Sequence, residues 1–158
     1  MEILQTLIHN KMFMAPLLSW AVAQIIKTIL NFILTKKFNP ERLIGSGGMP
    51  SCHSATVVGL MYATAFCRGL DGFEFPLATT LAIIVMYDAM NVRMETGKQS
   101  IVLNFFLKNE EIMSQLKDVA KEEWPGIILK EYVGHTPLQV LGGIITGILV
   151  SYCVCRFL

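Results

Sequence analysis

The sequence predicts an all-α integral membrane protein, a bundle of about four transmembrane helices with an additional interfacial amphipathic helix. Of its 158 residues, 53% are hydrophobic and 16% are charged, against roughly 25% charged in an average soluble domain. The mean hydropathy is +0.53. The apolar residues gather into four stretches, each near the roughly 20 residues that a helix needs to cross a bilayer. These stretches are about 14–35, 54–70, 75–93 and 137–156. The alternative is a soluble bundle that buries the same residues.

Length and charge narrow the classes of function. A chain of 158 residues is expected to form a single domain, 1–158. The net charge of +1 gives no support for a nucleic-acid partner. The four cysteines have neither paired metal-ligand spacing nor a C-x-x-C redox signature.

The first apolar stretch carries an internal lysine. Gln24, Lys27 and Asn31 are spaced three and four residues apart, so they lie on one face of a helix. A lysine inside a membrane segment is costly, and it is expected to face the bundle and to serve a function. The alternative is that Lys27 extends to the interface, but the basic end at Lys36 lies too far along the helix for this reading to be favoured.

Small residues recur in the second and fourth stretches. They are Ala55, Gly59, Ala63, Gly143, Gly147 and Ser151. Small residues at this spacing let helices approach closely in lipid. They predict close helix packing and leave room for a homodimer.

The four stretches define two sides of the membrane. The segments 36–51 and 94–134 fall on one side, together with most of the lysines and arginines, and the positive-inside rule makes that side of the cell membrane cytoplasmic. The same side receives five polar residues at helix ends. They are His53, Asp88, Arg93, Lys98 and His135. Their convergence predicts a single site at this side, with Lys27 pointing towards it.

The segment 94–134 is the most water-soluble part of the sequence. Residues 101–119 alternate apolar and charged positions in a helix-like pattern, and Trp124-Pro125 ends the pattern. The predicted structure is an amphipathic helix lying at the interface over the site. A solvated connector is the alternative.

Residues 45–54 read GSGGMPSCHS, a glycine-rich loop that runs directly into a helix start. Free backbone N–H groups and the helix dipole favour an anion at such a place. Ser51 is available as a helix cap or an anion ligand, Gly48 gives backbone access, and His53 is positioned to exchange a proton with the anion. A flexible turn with an interfacial histidine is the alternative.

Residues 134–137 read GHTP and open the last stretch, so His135 lies just outside a helix start. Phosphoryl transfer needs cations for the phosphate oxygens, a nucleophile, and a proton donor for the leaving oxygen. Lys27, Arg42, Arg93 and Lys98 are candidates for the first role. The two histidines are candidates for the others.

These motifs resemble those of a known superfamily. The run MPSCHSAT at 49–56 is similar to the Pro-Ser-Gly-His motif of the phosphatidic acid phosphatase type 2 and vanadium haloperoxidase superfamily. The run HTPLQVLGG at 135–143 resembles its last motif, a histidine that precedes a glycine-rich helix. With YDAMNVR at 87–93 and GKQ at 97–99, the chain resembles the divergent branch of that superfamily.

The resemblance implies roles for individual residues. His135 would be the nucleophile that forms a phosphohistidine, His53 would protonate the leaving alcohol, and Ser51 with nearby backbone N–H groups would hold phosphate oxygens. Lys27 and Arg93 would supply the cations. Cys52 stands where the superfamily has glycine, and Gln139 stands where it has aspartate. Asp88 is then the predicted orienting carboxylate.

The sequence therefore predicts a membrane-embedded phosphatase for a lipid phosphate or an isoprenoid (di)phosphate, with membrane lipids as its surroundings. No cofactor is expected, and vanadate is expected only as a phosphate mimic. A non-catalytic binder or carrier of phosphorylated lipids is the first alternative, favoured by Gln139 and Cys52. A metal protein with His53, His135 and Asp88 as ligands is the second.

Overall fold

A computed structural model describes residues 2–36, 47–109, 111, 114, 128–131 and 133–158. Within these residues the chain is helical and contains no strand, which confirms the predicted all-α class. There are six helices in the described part: α1 Glu2–His9, α2 Lys11–Thr35, α3 Cys52–Arg68, α4 Glu74–Met90, α5 Val92–Leu107 and α6 Pro137–Phe157.

Polar side chains begin three of these helices. The side chain of Asn10 accepts hydrogen bonds from the backbone N–H groups of Met12 and Phe13, at 3.0 and 3.3 Å, and so starts α2. Ser51 caps α3 in the same way. Thr136 and Gln139 form a reciprocal capping box at the start of α6, with proline in its first turn. The starts of α3 and α6, which carry the two histidine motifs, are thus specified locally.

Helix α3 lies at the centre and packs against α2, α4 and α6. Its Gly59 lies against Ser19 of α2 and Ser151 of α6, and the Ser151 hydroxyl donates to the Gly59 carbonyl at 3.2 Å. The Ser19 and Ser151 hydroxyl oxygens are 3.3 Å apart. The small residues therefore do what their spacing predicts, since they bring three helices into close contact.

Three helical stretches are long and apolar enough to cross a membrane: Lys11–Thr35, Glu74–Leu107 and Pro137–Phe157. Large apolar side chains such as Ile33, Leu77 and Leu149 point outwards and are 61–65% exposed. A soluble bundle would bury these side chains, so the outward-facing apolar surface favours the membrane. Helix α3 has 17 residues, and the predicted number of four crossings stays a prediction.

The segment 94–134 differs from its prediction. Helix α5 follows α4 after a single residue, Asn91, and runs from Val92 to Leu107. The sequence had predicted that the third apolar stretch ends at 93 and that an interfacial helix covers 101–119. The sequence of α5 contains no proline to stop it. The later part of the predicted interfacial helix, with Trp124-Pro125, lies mostly outside the described residues.

Candidate phosphate site

Two backbone hydrogen bonds bring three helix ends together. The Ser51 N–H, just before α3, donates to the Gln139 carbonyl of α6 at 2.9 Å. The His135 N–H, just before α6, donates to the Ala89 carbonyl near the end of α4, also at 2.9 Å. The two histidine motifs therefore meet, beside the end of α4, at one end of the bundle.

His53 and His135 face each other at this junction. Their ring centroids are 6.1 Å apart, and the ring planes are inclined at 63°. His135 is 1% exposed, although it lies outside the helix that follows it. At this separation the two rings are in edge-to-face contact.

The hydrogen bonds of His135 determine which ring nitrogen carries the proton. The Gln139 side-chain oxygen accepts from the Thr136 N–H at 3.2 Å, and a backbone N–H can only donate. The same oxygen lies 3.1 Å from Nδ1 of His135, so Nδ1 must be the nitrogen that donates to it. In the neutral ring Nε2 is then the basic nitrogen. It is buried and has no hydrogen-bond partner among the described residues.

The surroundings of His135 favour the neutral ring. Burial lowers the pKa of His135, and the hydrogen bond to Gln139 acts in the opposite direction. The charges of His53, Lys27 and Arg93 lower the pKa further. A neutral imidazole with a free Nε2 is the form that can act as a nucleophile or base.

Arg93 is held by Asp88 beside the two histidines. Its Nε donates to Asp88 Oδ2 at 2.7 Å, and both side chains are partly exposed. Arg93 and Asp88 lie near enough to His53 to act on its charge. Asp88 was predicted to orient His135, but the group that accepts from the ring is Gln139. Gln139 follows His135 by four residues, so the first turn of α6 places its side chain beside Nδ1. Asp88 instead orients the arginine.

Lys27 reaches the same junction from α2, as its position in the sequence predicts. The side chain is 2% exposed and its ammonium group donates to the Cys52 sulfur at 3.5 Å. Its electrostatic effect reaches both His53 and His135. Cys52 itself is 3% exposed, at the first position of α3.

Ser51 and Gly48 form the start of α3 as predicted, but Ser51 is used internally. Its hydroxyl is fully buried and accepts from the Ser54 N–H at 3.3 Å and the Ser54 hydroxyl at 3.1 Å. Gly48 has a φ of +87°, and an added Cβ would lie 3.4 Å from Lys27 Cγ. This backbone conformation favours glycine and lets the loop pass against the lysine stem.

Lys98 forms an ion pair on α5 and is not among the charges that act on the two histidines. Its ammonium group is 2.6 Å from Glu95, and both side chains are about 60% exposed. It lines a cavity of about 380 Å³ between the end of α2, the glycine loop, α5 and the residues around His135. The cavity also carries Asn31, Gly48 and Gln139 on its walls. Arg42, the remaining predicted phosphate ligand, lies outside the described residues.

Asn104 is a residue that the sequence analysis missed. Its side-chain amide donates to the Leu129 carbonyl at 2.8 Å, and its oxygen accepts from the Leu129 N–H at 2.9 Å. The amide also donates to Glu131 at 2.9 Å. Through these hydrogen bonds Asn104 holds the segment before His135 against α5. No local pattern in the sequence indicates a contact between residues so far apart.

Metal binding gains no support from the geometry. Among the residues that the structure describes, no three histidine, cysteine or acidic side chains lie close enough together to hold a metal ion. The hypothesis of a site built from His53, His135 and Asp88 therefore lacks the required cluster.

Comparison with known proteins gives a family match that includes both histidine motifs. Residues 8–150 match the model of the Divergent PAP2 family. The chain belongs to the Divergent PAP2 family. It is also 34% identical, over 154 residues, to a protein of Bacillus subtilis (strain 168) described as uncharacterized membrane protein YuiD, and the match covers 96% of this chain and 98% of YuiD. No solved structure matches the chain.

Membership of the Divergent PAP2 family confirms the resemblance read from the two histidine motifs. The apolar helices and the similarity to a membrane protein over nearly the whole chain support a location in the membrane. The matched range 8–150 includes both histidine motifs, Lys27 and Arg93.

Proposed function

We propose that this protein is a membrane-embedded phosphatase that hydrolyses a lipid phosphate or an isoprenoid (di)phosphate through a phosphohistidine on His135. The observation that carries the proposal is the state of the His135 ring. Nδ1 donates to Gln139, and Nε2 is left without a partner at a junction that also contains His53, Lys27 and Arg93.

The first chemical step would be attack of His135 Nε2 on phosphorus. The phosphorus–nitrogen bond forms as the bond to the leaving oxygen breaks, and His53 gives its proton to that oxygen. In the second step His53 takes a proton from a water molecule, which attacks the phosphohistidine and restores free Nε2. Both steps balance without a metal ion or cofactor, and vanadate is expected to act as an inhibitor by mimicking phosphate.

Lys27 and Arg93 would stabilise the negative charge on the phosphate oxygens. Both act electrostatically on the histidine pair, and the positive end of the α3 helix dipole favours an anion at the same place. Because the junction lies at one end of an apolar bundle, a lipid phosphate could present its head group there while its chain stays in the membrane. The distribution of lysines and arginines predicts that this end faces the cytoplasm.

The chain provides matched variants for a direct test. Phosphate release is measured with purified protein in detergent, using lipid and prenyl phosphates. The chain has three histidines, and His9 is exposed on α1. We expect His135→Ala to abolish release, His53→Ala to reduce it strongly, and His9→Ala to leave it unchanged. Equal release by wild type and His135→Ala would contradict the proposal.

A non-catalytic binder of phosphorylated lipids is the second candidate. Two observations favour it: Gln139 brings no negative charge to His135, and Lys27 is in contact with Cys52. To separate the two candidates, lipid phosphate binding is measured for the wild type and for Lys27→Met, together with the release of phosphate. Binding that needs Lys27, without release of phosphate from any substrate, would indicate the carrier.

A further inference from the structure

A cluster of three reactive groups lies inside the candidate site, and the proposed reaction uses only two of them. The Cys52 sulfur lies 3.5 Å from the Lys27 ammonium nitrogen and 3.8 Å from Nδ1 of His53. Cys52 and Lys27 are both at least nine-tenths buried. The amine and the thiol are therefore held together by the packing of α2 against α3, not by chance contact at a surface.

We propose that Cys52 and Lys27 form an oxidative-modification site. A hydroperoxide oxidises the Cys52 thiol, and a covalent bond then forms between the sulfur and the Lys27 nitrogen. Cysteines that react with oxidants lie in electropositive and accessible surroundings. Here the ammonium group of Lys27 supplies the charge, and the oxidant would have to reach the buried sulfur past the partly exposed His53 ring. A sulfenic acid in a protein can condense with a backbone nitrogen to give a sulfenamide, and a side-chain amine is a stronger nucleophile than a backbone amide. Lys27 provides that nitrogen at contact distance.

The chemistry balances in two steps. In the first, hydrogen peroxide oxidises the Cys52 thiol to a sulfenic acid, the O–O bond breaks, and water leaves. In the second, the Lys27 nitrogen attacks the sulfur, the S–N bond forms, the S–O bond breaks, and a second water leaves. The lysine gives up its extra proton, and the His53 ring beside the sulfur can accept it. A thiol reductant cleaves the S–N bond and restores both side chains.

The consequence for function follows from the position of Lys27. An S–N bond removes the positive charge of a residue that is proposed to hold phosphate, so the modified protein would lose phosphate binding until it is reduced. This consequence rests on the proposed function, whereas formation of the cross-link does not. The two can therefore fail separately.

The test treats the full-length protein in detergent with hydrogen peroxide and identifies peptides by mass spectrometry. We expect a Cys52–Lys27 cross-linked peptide that has lost two hydrogen atoms and that disappears after dithiothreitol. Cys155 is an internal control, because it is also buried but the Lys11 ammonium group contacts its backbone carbonyl instead of its sulfur. No Cys155–Lys11 cross-link is expected.

Two variants test whether the cross-link needs the Lys27 amine and whether the loss of activity needs the Cys52 sulfur. In Lys27→Met both the amine and its charge are absent, so no cross-link is expected, and any Cys52 that is oxidised should appear as sulfenic acid, trapped by dimedone, and then as sulfinic acid. In Cys52→Ser, the ratio of peroxide-treated to untreated activity should rise towards one. Oxidation of wild-type Cys52 to sulfinic acid without a bond to Lys27, or no oxidation at all, would overturn the proposal. A cross-link in a protein with no phosphatase activity would leave the modification intact and refute only the proposed function.

Discussion

At the scale of single residues, the account depends on the side-chain oxygen of Gln139. That oxygen accepts from the Thr136 N–H and faces Nδ1 of His135, so one amide caps α6 and orients the ring. The amide supplies orientation without charge. The pKa of His135 is lowered chiefly by burial, and no carboxylate at this position opposes the effect.

Gln139→Glu tests this arrangement through the pH dependence of activity. A carboxylate at Nδ1 stabilises the imidazolium, so it should raise the pKa of His135. Because the attacking form is neutral, activity falls as the pH drops through that pKa, and the acid limb should move to higher pH by about one unit or more. The measurement is kcat/KM against pH for both proteins. An unmoved acid limb would mean that His135 does not limit the rate at low pH.

Asp88→Asn tests whether Arg93 needs its partner. The pair is partly exposed, so its loss should cost less than about 1 kcal/mol of stability. Without the carboxylate, Arg93 is no longer held beside the histidines, and we expect kcat/KM to fall about tenfold, which corresponds to about 1.4 kcal/mol of transition-state stabilisation. The control is Glu95→Gln, which releases Lys98 from an exposed pair and should have little effect. Equal losses in the two variants would contradict a specific role for Arg93.

At the scale of helices, α3 and α6 position the two histidines through a close contact. The backbone of α6 at Gly143 lies against the Ser51 carbonyl and the Ser54 side chain, directly at the start of α3. The neighbouring Gly142 faces Met49, whose flexible side chain can move. The two adjacent glycines therefore differ in how much space they leave.

Gly143→Ala and Gly142→Ala form a matched pair. The added Cβ at 143 would meet the Ser51 backbone and would lie 2.8 Å from Ser54 Cβ, so α3 and α6 must separate. Overpacking of this kind costs about 1–3 kcal/mol. At 142 the nearest atom is Met49 Cε at 3.2 Å, and the change should be nearly neutral. The measurements are thermal unfolding in detergent and phosphate release. Equal melting temperatures for the two variants would show that the contact at 143 is not tight.

At the scale of the whole molecule, the distribution of charge predicts that the candidate site faces the cytoplasm. The prediction can be tested with single cysteines at Asp71, between α3 and α4, and at Lys130, before α6, after the exposed Cys67 and Cys153 are changed to serine. A membrane-impermeant maleimide added to intact cells should label the cysteine at 71 and not the one at 130. The reverse pattern would place the site outside the cell.

Much of this arrangement could be predicted from sequence because it is local. Hydropathy predicts the apolar helices, and the two histidine motifs lie at helix starts that their own serine, threonine and proline residues specify. The continuation of α4 into α5 was not predicted, because charged residues after Asn91 look like a solvent loop when packing is unknown. The roles of Gln139, Asp88 and Asn104 were missed because they depend on which side chains meet across the fold.

The central claim is that Nε2 of His135 attacks phosphorus. The most direct test is to quench wild-type protein during turnover of a lipid phosphate at alkaline pH and to locate the phosphate by mass spectrometry and ³¹P NMR. The account predicts phosphate on His135, bonded to Nε2, and none on His9 or His53. Turnover with phosphate on another residue, or with a His135→Ala variant that remains active, would contradict it.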